Sequence, residues 1–180
     1  AMNPGLGLRE LHRQGLTGRG VSVAIVDFNV IGQHPEYTGR LAALHRLAGV
    51  EPRQSSMHGP AVLSLLAGRH CGAAPEVRVY FIATRDPGGD AAEHAQAIDW
   101  VLEQNRHLAG AERIRAISIS AAPSGPALFP FRNGPQYDAA CQRAEEAGVL
   151  VIEGPKDALL GVGVDRLDYT KGIEERLLAV

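Results

Sequence analysis

Two side chains with acid–base chemistry stand where the chain is expected to hold them rigidly. His58 opens the stretch His58-Gly59-Pro60-Ala61-Val62-Leu63-Ser64-Leu65-Leu66-Ala67-Gly68. Proline is tolerated in the first turn of a helix, because the leading N–H groups have no intrahelical partner. The imidazole is therefore expected at the start of a short helix. Val62, Leu65, Leu66 and the small residues between them predict a helix buried on nearly all sides. An imidazole on such a support can act as a general base, although a lone histidine beside a helix is more often one that merely ends a loop. Asp27 follows the β-branched, apolar run Val21-Ser22-Val23-Ala24-Ile25-Val26, which suits a central parallel strand. An acid at the carboxyl end of a buried strand lies where open α/β sheets place their sites, and the same residue type also caps helices.

The elements around this pair alternate. A short helical lead from Leu6 to Gln14 and the turn Thr17-Gly18-Arg19-Gly20 precede the first strand. His34-Pro35-Glu36-Tyr37 is a loop signal, followed by a weaker apolar segment from Leu41 to Leu47. After the His58 helix, Cys71-Gly72-Ala73-Ala74-Pro75 turns the chain into Val77-Arg78-Val79-Tyr80-Phe81-Ile82-Ala83, a strand by its β-branched and aromatic content. Asp90 can cap a helix to about His107, with Ala91, Ala95, Ile98, Val101 and Leu102 on its inner face and Trp100 at its margin. Ile114 to Ala121 reads as a third clear strand, and Pro123 to Pro135 as a long loop. A helix over Gln136 to Ala147, with Tyr137, Ala140, Cys141 and Ala144 inward, is stopped by Gly148 before the buried run Val149-Leu150-Val151-Ile152. Strands alternating with helices over the whole length predict an α/β fold: a doubly wound parallel sheet in three layers, with helices on both faces.

Bulk properties narrow the partners. A chain of 180 residues with 45% hydrophobic content suits one globular domain. A net charge of −2, with both signs interspersed and no basic run, gives no electrostatic footprint for nucleic acid or an anionic membrane. No apolar run is long enough to span a bilayer, and Ala1-Met2-Asn3-Pro4-Gly5 lacks the regions of a signal peptide. Residues 1–5 are expected to be a tag or disordered lead, with Ala1-Met2 a cloning remnant. The compartment is left open between secreted and cytoplasmic. Cys71 and Cys141 lie far apart, outside any metal-ligand spacing, and are expected to be core thiols; no metal is assigned.

In order and at their ends, these elements resemble the subtilisin-like serine proteases, the subtilases. Gly20-Val21-Ser22-Val23-Ala24-Ile25-Val26-Asp27 resembles the family's first core strand with its catalytic aspartate, and His34-Pro35-Glu36-Tyr37 the motif that follows. His58-Gly59 with Ala61 to Gly68 is similar to the catalytic-histidine helix, and Gly72 to Tyr80 to the next turn and strand. The resemblance covers about residues 6–154 and implies a subtilisin-like, truncated sheet. It implies that Asp27 orients the imidazole of His58, that His58 takes a proton from a serine hydroxyl, and that the substrate is a peptide or protein. It also places Ser120-Ala121-Ala122 along the pocket for the substrate side chain, where the family usually shows glycine at the last position. Phe28-Asn29 stands where a small residue and glycine are usual, and Pro60 where threonine is common. Subtilases often bind calcium, but no set of oxygen ligands is assigned.

Two features of the family are not found in these residues. No Gly-Thr-Ser-Met-Ala-like nucleophile motif occurs, and Ser118, Ser120 and Ser124 fall in the wrong part of the fold. Where an asparagine should give a side-chain donor to the oxyanion hole, after the Val149–Ile152 strand, the chain reads Glu153-Gly154-Pro155. These residues by themselves are therefore expected not to cleave peptide bonds.

From about Asp157 onward a second resemblance begins. Leu160-Gly161-Val162-Gly163-Val164-Asp165-Arg166-Leu167-Asp168-Tyr169-Thr170-Lys171-Gly172-Ile173 resembles a signature of trehalose-6-phosphate synthases, which use a nucleotide-sugar donor. That resemblance gives Arg166 and Lys171 a role on the donor diphosphate. The rest of such a cleft is missing, so no donor site is expected. The simplest account is a recombined or engineered chimera. In it, residues 155–180 add a foreign strand, from Ala158 to Val164, and a covering helix, from Ile173 to Val180, to the subtilase-like body. A non-enzymatic scaffold or interaction module is the alternative, with a second copy covering the edge that a truncated sheet leaves.

Overall fold

The computed structural model describes residues 7–85, 90–120 and 132–153. In chain order these form α1 (Leu8–Arg13), β1 (Ser22–Phe28), β2 (Leu41–Arg46), α2 (His58–Ala67), β3 (Arg78–Thr84), α3 (Ala91–His107), β4 (Ile114–Ile119), α4 (Gly134–Glu146) and β5 (Leu150–Glu153). The five strands form one sheet in the order β2-β3-β1-β4-β5, and every pairing is parallel. From β1 the chain crosses to the edge strand β2 and returns to β3 beside β1, then passes to the other side of β1 for β4 and β5. The reversal leaves a crevice at the carboxyl end of β1, the place where doubly wound sheets receive ligands.

Two apolar layers sandwich the sheet. On one face Ile25, Val79 and Phe81 pack with Leu63 and Ala67 of α2. On the other, Ala24, Val26, Tyr80, Ile82 and Ile117 meet Ala95, Ile98 and Val101 of α3 and Tyr137, Ala140 and Ala144 of α4. Alternate residues of β1 thus serve opposite layers, which is why its sequence is apolar throughout. The three-layer, doubly wound α/β architecture is the one the sequence predicts.

Several details depart from the sequence reading. The α2 helix is not buried all round: Gly59, Leu63 and Ala67 form its buried stripe, whereas Leu65 is 41% exposed and Val62 and Leu66 are half-buried. A helix covering only one face of a sheet needs only one apolar stripe. The weak segment from Leu41 is an edge strand of the sheet, β2, which explains its mixed character. The long helices start and stop within about two residues of expectation, and β5 begins and ends one residue later than its apolar run. Cys71 and Cys141 are half-buried thiols outside any disulfide, rather than core residues. No helix among the described residues is long and apolar enough to cross a membrane. The segments expected at 1–5 and 155–180 lie outside the described residues.

Candidate active site

Asp27 ends the buried part of β1, with its side chain 1% exposed, and His58 is the first residue of α2. The Nδ1 of His58 lies 2.8 Å from Oδ1 and 3.0 Å from Oδ2 of Asp27. An ionised carboxylate only accepts hydrogen bonds, so Nδ1 carries the proton in this contact and Nε2 is the nitrogen left for a reacting group. Asp27 Oδ1 also accepts the Phe28 main-chain N–H at 2.7 Å. Such donors are what a buried carboxylate needs to offset its lost hydration. The imidazole is 45% exposed on its open side, and Phe28 meets it edge-on with ring centroids 6.3 Å apart. The pair can hold one tautomer and accept a proton at Nε2.

The chain achieves this contact through a close approach of helix to strand. A Cβ on Gly59 would stand 2.1 Å from the Phe28 carbonyl oxygen, so only glycine lets the first turn of α2 sit against the end of β1. Ser56 Oγ accepts the Gly59 N–H at 3.1 Å, one of the first-turn donors of α2, while Pro60 stands in the same turn, where its missing N–H costs nothing.

Asn29, which departs from the family's usual glycine, is 7% exposed and holds the approach to α2 in place. Its Nδ2 donates to the carbonyls of Glu51, at 2.9 Å, and Gln54. Its Oδ1 accepts Arg46 Nε at 3.0 Å and its carbonyl accepts the Ser56 N–H at 3.2 Å. Farther along, the Glu36 carboxylate ties the loop after β1 to the far end of α2. It accepts the His70 N–H at 2.7 Å, His70 Nδ1 at 2.9 Å, the Cys71 N–H at 3.2 Å and Cys71 Sγ at 3.4 Å. Burial raises the pKa of this carboxyl, but the His70 and Cys71 donors more than offset it and hold Glu36 at about 2.

A cleft of about 320 Å³ is lined in part by Phe28, which meets the His58 ring, and by Asn29, Glu51, Ser56, Thr84 and Arg85, though by neither Asp27 nor His58. Thr84, at the end of β3, donates from Oγ1 to the Asp27 carbonyl at 3.3 Å. His94 on α3 is 1% exposed, and its burial pushes its pKa down. Sequence reading did not find Asn29, Thr84, Arg85 or His94. Only the Phe28-Asn29 departure offered a signal, and its meaning depends on partners more than 20 residues away.

Of the expected pocket residues, Ser120 is exposed just past β4, and Ala121 and Ala122 lie outside the described residues, as do Arg166 and Lys171. Among the described residues no hydroxyl is hydrogen-bonded to His58, and no cluster of three His, Cys, Asp or Glu side chains is arranged to hold a metal ion.

The peptidase S8 model of the subtilase family matches residues 18–153. The chain belongs to the subtilase family. A thermostable alkaline protease of Halalkalibacterium halodurans is 26% identical over 80% of this chain and 37% of its own length. Among solved structures, the prenylagaramide maturation protease PagA superposes with a TM-score of 0.60 at 25% identity, over 83% of this chain and 50% of that one. The chain thus spans half or less of the length of these relatives. The α,α-trehalose-phosphate synthase (UDP-forming) of Pichia angusta is 38% identical over 65 residues, 36% of this chain and 13% of its own length.

Proposed function

We propose that these residues supply the general base and its orienting carboxylate to a serine endopeptidase site of subtilisin type, with a peptide bound beside them. The observation that carries this reading is the bidentate approach of the Asp27 carboxylate to His58 Nδ1, at 2.8 and 3.0 Å, at the switch point of the sheet. In the reaction, His58 Nε2 takes the proton of a serine hydroxyl as its oxygen attacks the peptide carbonyl, and returns it to the leaving amine. Asp27 holds the imidazole in the required tautomer and stabilises its cation without becoming protonated. No serine of the 180 residues stands in a nucleophile motif, so these residues alone leave His58 with no hydroxyl to activate. The serine enters from polypeptide beyond them.

The test has two arms. The 180-residue chain, incubated with fluorogenic peptides and a serine-directed phosphonate probe, is expected to show neither turnover nor label. Labelling of the isolated chain overturns the reading. Addition of a fragment carrying a Gly-Thr-Ser-Met-Ala-like segment is expected to produce turnover. In that mixture Asp27→Asn lowers the rate by about four orders of magnitude, since the wrong tautomer then faces the serine. No gain of activity on adding the fragment counts against the serine's being supplied in trans.

The 38% identity to the trehalose-phosphate synthase runs over 65 residues, more than lie between 155 and 180, so it supports the second resemblance without fixing its bounds. We propose that residues 155–180 are foreign to the subtilase body and have no donor role, because 65 matched residues amount to 13% of that relative. Titration of the labelled chain with a nucleoside diphosphate should leave Arg166 and Lys171 unshifted; a shift centred on them refutes the proposal.

A further inference from the structure

The cleft lined by Phe28 and Ser56 holds one guanidinium, that of Arg85, whose setting points to a substrate preference. Arg85 follows β3 directly and its side chain is 57% exposed. Its Nε donates to Glu93 Oε1 at 2.6 Å, its Nη2 pairs with the same oxygen, and its main-chain N–H reaches Oε2 at 3.1 Å. The Glu93 side chain, in the first turn of α3, is only 10% exposed, so a buried carboxylate fixes one edge of the fork. The stem lies across Gly49, where a Cβ would stand 3.0 Å from Arg85 Cδ and 3.5 Å from Nη1. Among the described residues Nη1 has no hydrogen-bond partner.

Of the carboxylates nearby, Asp90, whose charge Arg85 also feels, accepts the Ala92 N–H at 2.9 Å and Asn133 Nδ2 at 2.8 Å. Glu93 is held by Arg85, Glu51 accepts the Arg53 N–H at 3.1 Å, and Asp27 is bound to His58 and the Phe28 N–H. Arg46, bonded to the cleft residue Asn29, adds positive charge behind the same wall. The open edge of the Arg85 fork is therefore a donor pair on a residue that lines the cleft, with its other edge already held by Glu93. Such an edge is matched by a carboxylate, and a guanidinium fixed on one side loses little freedom in binding it.

We propose that Arg85 is a specificity-determining residue that binds a carboxylate of the peptide lodged beside His58. This rests on the reading that a peptide binds there. The carboxylate comes from an aspartate or glutamate side chain or from the peptide's own C-terminus.

The ¹⁵N-labelled chain is titrated, at low salt, with acetylated and amidated Ala/Gly heptapeptides carrying Asp or Asn at each position in turn, and with one peptide left uncapped at its C-terminus. At one register the Asp peptide is expected to bind about fivefold more tightly than its Asn counterpart, the scale of a half-exposed ion pair. The amides of Phe28, Ser56 and Arg85 should report it. If the uncapped peptide shows the gain instead, the carboxylate is the C-terminal one. Arg85→Gln should bring Asp and Asn peptides within twofold, and Arg85→Lys should keep part of the preference. Because removing Arg85 leaves Glu93 without its guanidinium, the double variant Arg85→Gln/Glu93→Gln is measured alongside as a neutral, folded comparison. Equal binding of Asp, Asn and uncapped peptides, or a preference that survives both Gln variants, overturns the proposal while leaving peptide binding intact. If no peptide moves those amides, the peptide-binding reading falls and this inference with it.

Discussion

Replacing Glu36 by glutamine tests whether the far end of α2 is held by charge. The Glu36 side chain is 12% exposed and accepts from four groups of His70 and Cys71, which hold its pKa at about 2 against an ordinary 4.5. That difference corresponds to about 3 kcal/mol of stability from this carboxylate at neutral pH. The folded-state pKa is depressed, so the contribution is full above the unfolded value of 4.5 and is lost as pH falls through about 2. Glu36→Gln should therefore lower stability at pH 7 by about 3 kcal/mol, or the melting temperature by about 6–12 °C. Between pH 5 and 2, below the range in which histidine side chains change charge, wild type and variant should converge as wild type loses the advantage. Urea unfolding followed by circular dichroism across that range measures both curves. A constant gap between them from pH 5 to 2, or a Glu36 carboxyl that titrates near 4.5 by NMR, would show that the clamp does not depend on ionisation.

Two further substitutions probe the frame of the site. Gly59→Ala puts a methyl group 2.1 Å from the Phe28 carbonyl, so α2 must move by about 1 Å; the expected outcome is a destabilisation of about 1–3 kcal/mol, a longer Asp27–His58 separation in a crystal structure, and about a hundredfold less turnover in the serine-complemented mixture. Tyr137 on α4 is 1% exposed, its pKa raised chiefly by burial, and it donates from its hydroxyl to Glu153 Oε2 at 2.8 Å. Tyr137→Phe removes that link to β5 and should cost about 1.5 kcal/mol, read as a lower urea midpoint with an unchanged slope.

The sequence by itself determined the element order, the buried strand ending in Asp27, the helix starting at His58 and the limits of α3, because each is written in local signals: periodicity, β-branching, a capping aspartate, a proline in a first turn. It also carried the resemblance that linked Asp27 with His58. Tertiary structure alone decided the strand order β2-β3-β1-β4-β5, and with it that β1 lies at the reversal where a crevice forms. It also decided which side of α2 is buried, since Leu63, Leu65 and Leu66 are equally apolar and only the sheet beneath selects Leu63. The Asn29 and Glu36 clamps and the Arg85–Glu93 pair were not legible, because each joins loops or element ends whose proximity is set by strand pairing. Polar side chains in loops carry no periodic signal, and their meaning comes entirely from the partner that the fold brings within reach.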